Sequence, residues 1–281
     1  MSLDVRPSPI AGTWYAGEPR ALAEQVDAFL DAATPADLAG EVIAVIAPHA
    51  GYRYSGAVAG CAFAPLRGRK PRLAAVISPM HHAYAEPLLT TSHSAYSTPL
   101  GEVSVDRSML AKLDGELRAQ LGFGLTPIGH DPEHSLEIEL PFLQRALASA
   151  FTLLPVMVRA QDPAVSEGLG KALASVLRGE DFVLIASTDL SHFHEHVTAL
   201  DMDRVMLAEF EAFSPAGAFD VQRTGRGYAC GLATVTAVLW GARELGADTV
   251  QVLKHATSGD VTGDRSSVVG YAAAVVLKSR S

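Results

Sequence analysis

The chain has 281 residues, of which 48% are hydrophobic and 19% are charged, and its formal net charge at pH 7 is −9. The hydrophobic fraction is enough for a sizeable buried core and excludes a disordered chain. The acidic balance argues against binding to nucleic acid or to an anionic membrane surface. Two cysteines are too few for a disulfide framework. With no signal-peptide pattern and no long apolar run, we expect a cytoplasmic protein without a membrane span.

Short apolar runs rich in β-branched residues alternate with helical patterns along the chain. Continuous apolar runs are typical of strands buried on both faces, as in parallel sheets, and apolar residues three or four positions apart indicate amphipathic helices. In chain order we predict a helix at Pro19–Leu30, strands at Val42–Ala47 and Leu73–Ser78, a hairpin at Ser92–Asp106, a strand at Phe151–Val158, a helix at Asp162–Leu177, a strand at Phe182–Ser187, helices at Leu200–Phe213 and Gly231–Leu245, and strands at Thr249–Leu253 and Val268–Leu277.

This alternation predicts an α/β fold, a three-layer α/β/α sandwich around a central, mostly parallel or mixed sheet. We find no convincing linker and expect one domain over residues 1–281. The chain also lacks the glycine-rich dinucleotide and nucleotide loops, the serine-hydrolase elbow and the Cys-x-x-Cys pair, which argues against those four classes.

Histidines follow four of the predicted strands. Ligands of open α/β sheets bind beyond the carboxyl ends of the strands. One histidine in such a place is more often a hydrogen-bonded loop residue than a metal ligand, but several separate strand ends with histidine predict a shared site. In chain order these residues are His49, the neighbours His81 and His82, His192 and His255.

Cys230 lies just before the predicted helix Gly231–Leu245. We expect its pKa to be lowered, because a helix dipole favours thiolate at the helix N-terminus. Thiolate is a soft metal ligand. The alternative is a small buried hydrophobic residue, which is the role expected for Cys61.

Two acidic segments complete the list of candidates. Asp189 lies three residues before His192, so this carboxylate either orients the histidine as a general base or caps a loop. His134 either lines the site formed by the histidines at the strand ends or has a structural role. Glu137 is expected to cap a helix that begins near Ser135. From these residues alone, the third metal ligand stays open among Cys230, Glu133 and Asp189.

At this point the motifs resemble those of the Memo family, the Memo-like proteins of the AmmeMemoRadiSam system protein B type. The resemblance covers essentially the whole chain, because six separated segments agree in family order. They are Ala11–Tyr15, Ala47–Gly56, Ser78–His82, Glu133–Phe142, Ser187–His192 and Cys230–Gly231.

The resemblance implies a fold like that of the class III extradiol dioxygenases, which hold non-haem Fe(II) on two histidines and a carboxylate. It implies that His49 and His81 are metal ligands and that Cys230 takes the place of the carboxylate. By the same resemblance, His192 occupies the acid/base position, with Asp189 and His134 in the pocket. Because the carboxylate ligand is missing, the resemblance does not imply ring cleavage.

Three functions follow as hypotheses. The first is an iron-dependent oxidoreductase or dioxygenase-like enzyme in which His49, His81 and Cys230 bind Fe(II), with Cu and Zn as alternative metals. In it, His192 and Asp189 are catalytic, and His134, Tyr52 and His82 contact a substrate. The second is a non-catalytic adaptor whose pocket binds a small molecule or peptide, and the third is a zinc hydrolase. A homo-oligomeric state stays open.

Overall fold

Strands and helices alternate along most of the protein. The computed structural model describes residues 4–34 and 37–279. The strands are β1 (Val5–Arg6), β2 (Gly40–Ala47), β3 (Leu73–Pro79), β4 (Leu88–Thr91), β5 (Ala95–Thr98), β6 (Gly101–Ser104), β7 (Thr126–Ile128), β8 (Thr152–Val158), β9 (Phe182–Ser187), β10 (His192–His194), β11 (Thr249–Thr257) and β12 (Val268–Ser279). The helices are α1 (Pro19–Ala32), α2 (Tyr52–Phe63), α3 (Arg107–Leu121), α4 (Leu140–Ala146), α5 (Pro163–Leu177), α6 (His196–Glu211), α7 (Pro215–Arg223), α8 (Leu232–Glu244) and α9 (Gly259–Thr262).

The central sheet is mixed, with the order β10-β12-β2-β9-β3-β8-β4-β7, and β11 also pairs with β12. Its centre is parallel, because β2, β9, β3 and β8 pair in that order and run in one direction. β12 and β4 flank this centre and run antiparallel to it. β3 is buried along its whole length, so both faces of the sheet are covered. Helix α2, with α1 and α4, forms one covering layer, and α8, with α5 and α3, forms the other.

These elements confirm the predicted α/β class and all six predicted apolar strands. The hairpin is also confirmed, since β5 and β6 pair antiparallel. It does not join the central sheet, however, and forms a separate three-stranded sheet with β1. The central sheet is mixed because β12 and β4 are antiparallel to their neighbours, and the hairpin does not contribute to it. Within the described residues, no helix is long and apolar enough to cross a membrane.

A buried arginine ties the N-terminal strand to the loop that precedes α4. Arg6 is 1% exposed. Its guanidinium lies 2.8 Å from Asp131 Oδ1 and 2.6 Å from Glu137 Oε2, and it donates to the carbonyl oxygen of Glu133 at 2.6 Å. Glu137 also accepts a hydrogen bond from the Tyr15 hydroxyl at 2.7 Å. The prediction that Glu137 caps a helix is therefore wrong, because its carboxylate is buried against a cation.

We expect Arg6→Met to destabilise the protein by about 3–5 kcal/mol, because it leaves Asp131 and Glu137 as buried carboxylates without a cation. The measurement is the free energy of unfolding in urea. Arg20→Met is the control, since Arg20 forms an exposed pair with Glu24 and should change stability by less than about 1 kcal/mol. Equal effects of the two substitutions would contradict the assigned role of Arg6.

Candidate metal centre

Three potential ligand atoms converge at the carboxyl end of β9. His49 follows β2, His81 follows β3, and Cys230 precedes α8. One ligand atom from each lies within 4.8 Å of the other two, and Cys230 Sγ is 3.1 Å from His49 Nε2. The structure therefore brings together the two histidines found at strand ends and the cysteine that only the resemblance singled out.

A glycine allows the cysteine to approach the sheet. A Cβ atom on Gly231 would overlap the carbonyl oxygen of Ser187, the last residue of β9. The amide of Gly231 donates to Thr188 Oγ1 at 2.9 Å, and the amide of Cys230 donates to the Asp189 carbonyl at 3.1 Å. These contacts hold Cys230 against the end of β9, where its sulfur faces His49.

Glu133 fixes the ring of His81. Its Oε1 atom is 2.9 Å from His81 Nδ1, and its Oε2 atom accepts a hydrogen bond from the His81 amide at 2.6 Å. The amides of His134 and Ser135 also donate to Oε1, each at 3.0 Å. Burial acts to raise the pKa of Glu133, but the hydrogen bond and charge of His81 outweigh it and hold this pKa well below its usual range.

Glu133 is therefore an ionised carboxylate whose two oxygens already accept N–H groups. Glu133, His81 and His134 form a second group with metal-ligand spacing. The four hydrogen bonds to Glu133 favour its role as an orienter of His81 over that of a ligand. Because Nδ1 of His81 is engaged, Nε2 is the nitrogen that faces a metal.

His49 is buried and engaged on its other nitrogen. Its Nδ1 atom is 2.9 Å from Ser187 Oγ. Burial, with smaller contributions from His134 and His81, lowers the pKa of His49 well below its usual value. The imidazole is thus neutral at pH 7, and neutral imidazole is the form that binds metals.

The thiol of Cys230 does not have the lowered pKa predicted from its position before a helix. Burial and then the carboxylate of Asp189 raise its pKa above the usual value, although the Asp189 amide donates to the sulfur at 3.2 Å. Helix α8 begins two residues beyond Cys230, and the effect of its dipole on this pKa is smaller than the effects of burial and Asp189. A bound metal cation would deprotonate such a thiol.

Asp189 contacts His49 instead of orienting His192. Its Oδ1 atom accepts the His49 amide proton at 2.9 Å, and Oδ2 lies 3.9 Å from His49 Nε2. The ring of His192 is held by the Leu190 carbonyl, 2.7 Å from Nδ1. The prediction that Asp189 orients His192 is therefore wrong, because the turn after β9 points the carboxylate back toward β2. Burial raises the pKa of Asp189 to about 7.

His134 lies in the same pocket. Its ring stacks on His81 at a centroid distance of 4.9 Å and is 5.5 Å from His49. Trp14 covers its outer side at 4.2 Å. Burial lowers the pKa of His134 to about 4, so the ring is neutral at pH 7. Trp14 had no sequence signal beyond its place in a family segment.

The other predicted residues are placed less favourably for contact with a ligand. The hydroxyl of Tyr52 donates to the carbonyl of Ile138 at 2.7 Å, and the side chain is 2% exposed. His82 is exposed next to His81. His255 lies inside β11, and its Nε2 is 2.8 Å from Asp203 Oδ2, so this nitrogen is engaged by a carboxylate.

Exposed aromatic side chains lie beside His134 and His192. Among the residues described, those with large exposed rings are Trp14, Tyr54, Phe193 and Tyr228. Tyr228 is 5.6 Å from His192, and Phe193 follows His192 with φ 61°. This left-handed residue forms the bulge in the pairing of β10 with β12 and leaves its ring in solvent. Exposed aromatic rings beside the histidines of a candidate site favour a binding role.

The donor set fits a metal ion. Two imidazoles and one thiol converge with their other polar atoms already hydrogen-bonded, which is the usual arrangement around a bound metal. Three protein ligands leave coordination positions open, as in catalytic centres. The set of N and S donors suits iron, copper or zinc, and affinity order alone does not choose among them.

Comparison with known proteins agrees with the motifs. The family model described as Memo-like protein matches residues 6–275. A MEMO1 family protein of Methanococcoides burtonii is 38% identical over 84% of this chain and 87% of its own length. The corresponding protein of Methanopyrus kandleri is 32% identical over 96% of this chain and 98% of its own length.

The pairing of Glu133 with His81 leads to a first test of the site. We expect Glu133→Gln to weaken metal binding by about 10- to 100-fold, because the amide no longer orients the ring or raises its basicity. The measurement is titration of the metal-free protein with Co(II), followed by its visible spectrum. Glu86→Gln, at an exposed position in the loop after His82, is the control. Unchanged affinity in Glu133→Gln would contradict the assignment.

Proposed function

The chain belongs to the Memo family, and from this premise we propose that it is a non-haem iron-dependent oxidoreductase of dioxygenase-like type. The observation that carries the proposal is the convergence of His49, His81 and Cys230, with ligand atoms within 4.8 Å of one another. The substrate is proposed to be a small molecule that enters between the exposed aromatic rings.

Iron is favoured by the combination of a thiol with two imidazoles. Bound Fe(II) would supply one-electron chemistry and an affinity for O₂. Electron donation from a thiolate ligand would favour both properties. The protein's own contribution is to hold the three side chains in place. Glu133 and Ser187 engage the far nitrogens of the two rings, so little reorganisation is needed when the metal binds.

His192 is the candidate acid/base group. Its Nδ1 faces the Leu190 carbonyl at 2.7 Å, so this nitrogen carries the proton and Nε2 is free to accept one. Burial lowers the pKa of His192 below its usual value, which keeps the ring neutral at pH 7. A neutral imidazole is suited to take a proton from a bound substrate and return it later.

Asp189 is the second candidate for proton transfer. With a pKa of about 7, its carboxyl group exchanges a proton near neutral pH, and general acid–base groups work best when the pKa is close to the working pH. Its contact with the His49 amide keeps it close to the ligands. His134 and the Trp14 ring, which lie 4.2 Å apart, would contact a substrate.

The exposed aromatic rings also favour a second candidate function, that of a binding protein that catalyses no reaction. Trp14, Tyr228 and Phe193 would hold a planar or apolar group whether or not a metal is bound. The two functions differ in one respect. Ligand binding by an adaptor survives loss of His49 and His81, whereas the chemistry of an iron enzyme does not.

The proposal predicts that protein purified without oxygen and supplied with iron holds about one iron per chain, and that Cys230→Ala loses it. The measurement is metal analysis together with EPR of the nitric oxide adduct. Cys61→Ala is the control, because its thiol lies on α2 and donates to the Ala57 carbonyl. Zinc occupancy after the same treatment would favour a hydrolase. Iron content unchanged in Cys230→Ala would contradict the proposal.

A separate prediction concerns His192. We expect His192→Gln to slow O₂ uptake by the iron-loaded protein, with ascorbate as reductant, by about 100-fold while iron content stays the same. His194→Gln, two residues along the same strand, is the control. Loss of iron in His192→Gln would show that this residue is a ligand and not an acid/base group.

A further inference from the structure

Glu139 is a fully buried carboxyl group behind the metal centre, and none of the proposed roles uses it. It is 0% exposed. Its Oε1 atom is 2.6 Å from Ser187 Oγ, whereas Oε2 is buried without a hydrogen-bond partner among the described residues. Ser187 in turn contacts His49 Nδ1 at 2.9 Å. Glu139 is therefore linked to a metal ligand through one hydroxyl group.

The hydroxyl of Ser187 has three polar neighbours and only one proton. They are the carbonyl oxygen of Ser135 at 2.8 Å, Glu139 Oε1 and His49 Nδ1. A carbonyl oxygen only accepts, so the hydroxyl proton goes to Ser135. The two lone pairs of the hydroxyl then face Glu139 and His49. All three contacts are hydrogen bonds only if Glu139 and His49 Nδ1 each carry a proton.

We propose that Glu139 is a neutral carboxylic acid that donates to Ser187, so that Ser187 accepts from Glu139 and from His49 Nδ1 while it donates to Ser135. Glu139 is a positioning residue, since it acts on the metal centre through Ser187 and His49. In this arrangement, the lone pair of His49 Nε2 points toward Cys230 Sγ, 3.1 Å away. The inference concerns the metal-free protein and does not depend on which metal binds or on any reaction.

An ionised Glu139 would fit the surroundings poorly. The hydroxyl proton of Ser187 would then turn to the carboxylate, and the contact between Ser187 Oγ and the Ser135 carbonyl would join two acceptors. The negative charge would be shared by Oε2, which has no donor among the residues described, and a buried charge without partners is strongly unfavourable. Burial and the nearby Asp189 both raise the pKa of Glu139 well above its usual value, and the contact with Ser187 opposes them.

The two histidine ligands would thus have different partners. His81 faces the ionised Glu133, which receives four N–H groups. His49 faces a neutral hydroxyl supported by a neutral acid. A carboxylate partner increases the basicity of an imidazole more than a neutral partner does. His81 would therefore be the more basic imidazole of the pair. A neutral Glu139 would add no negative charge to the metal centre, whereas Glu133 adds one.

The test is infrared spectroscopy of the metal-free protein at about pH 8, where an ordinary Glu is fully ionised. We expect a carbonyl band of a protonated carboxyl group that disappears in Glu139→Gln and remains in the control Glu133→Gln. Other buried acids do not confuse the result, because the difference between wild type and Glu139→Gln isolates one group. Absence of a band that Glu139→Gln removes would overturn the proposal.

NMR of the metal-free protein gives a second measurement and needs no variant. With ¹⁵N-labelled histidine, His49 should carry its proton on Nδ1, and with ¹³C-labelled glutamate one carboxyl group should keep the shift of the protonated form to about pH 8. Glu139→Gln should leave Co(II) affinity within about threefold of wild type, since its amide still donates to Ser187, and Glu139→Leu should lower it about tenfold. A proton on Nε2 of His49 would overturn the proposal. Loss of iron binding with an intact Glu139 band would contradict only the proposed function.

Discussion

Three adjacent parallel strands, β2, β9 and β3, end at one edge of the sheet, and the rest of the site depends on that arrangement. Neighbouring strands lie about 4.8 Å apart, so the backbones of β2 and β3 are separated by roughly 10 Å across β9. An imidazole on each side spans about half of that gap. His49 and His81 therefore meet above the end of β9, where Ser187 supplies a hydroxyl to one of them, and the loop before α8 adds Cys230.

Hydrogen bonds convert this convergence into fixed positions. Ser135 is central, because its hydroxyl donates to the Pro79 carbonyl at the end of β3 and its own carbonyl accepts from Ser187 at the end of β9. The same loop carries Glu133, whose carbonyl oxygen accepts a hydrogen bond from Arg6. The buried charges around the site therefore serve geometry first. Glu133 is ionised and Glu139 is proposed to be neutral, so the two carboxyl groups would affect the basicity of His81 and His49 differently.

Much of this could be predicted from the sequence. Apolar runs located the central strands, and the rule that ligands bind beyond the carboxyl ends of parallel strands found His49, His81 and His192. The third ligand could not be chosen in this way, since Cys230 follows no strand. It reaches the site because Gly231 permits close contact with β9, and a contact between residues so distant in sequence leaves no local pattern.

The wrong predictions for Cys230 and Asp189 also result from contacts between residues that are distant in sequence. The pKa of Cys230 was predicted from the dipole of the following helix, but burial and Asp189 dominate. Asp189 was paired with His192 because they are near in sequence, whereas the turn after β9 places it against His49. Ser187 and Glu139 were missed altogether. A small polar residue at the end of a strand and an acid in an apolar helical segment acquire meaning only when tertiary contacts bring them behind a ligand.

The central claim is that one metal ion is held by His49, His81 and Cys230. X-ray absorption spectroscopy at the iron edge of the anaerobically loaded protein tests it most directly. The account predicts one sulfur neighbour and two imidazoles per iron, with the sulfur lost in Cys230→Ser. A shell of nitrogen and oxygen atoms alone in the wild-type protein would contradict it.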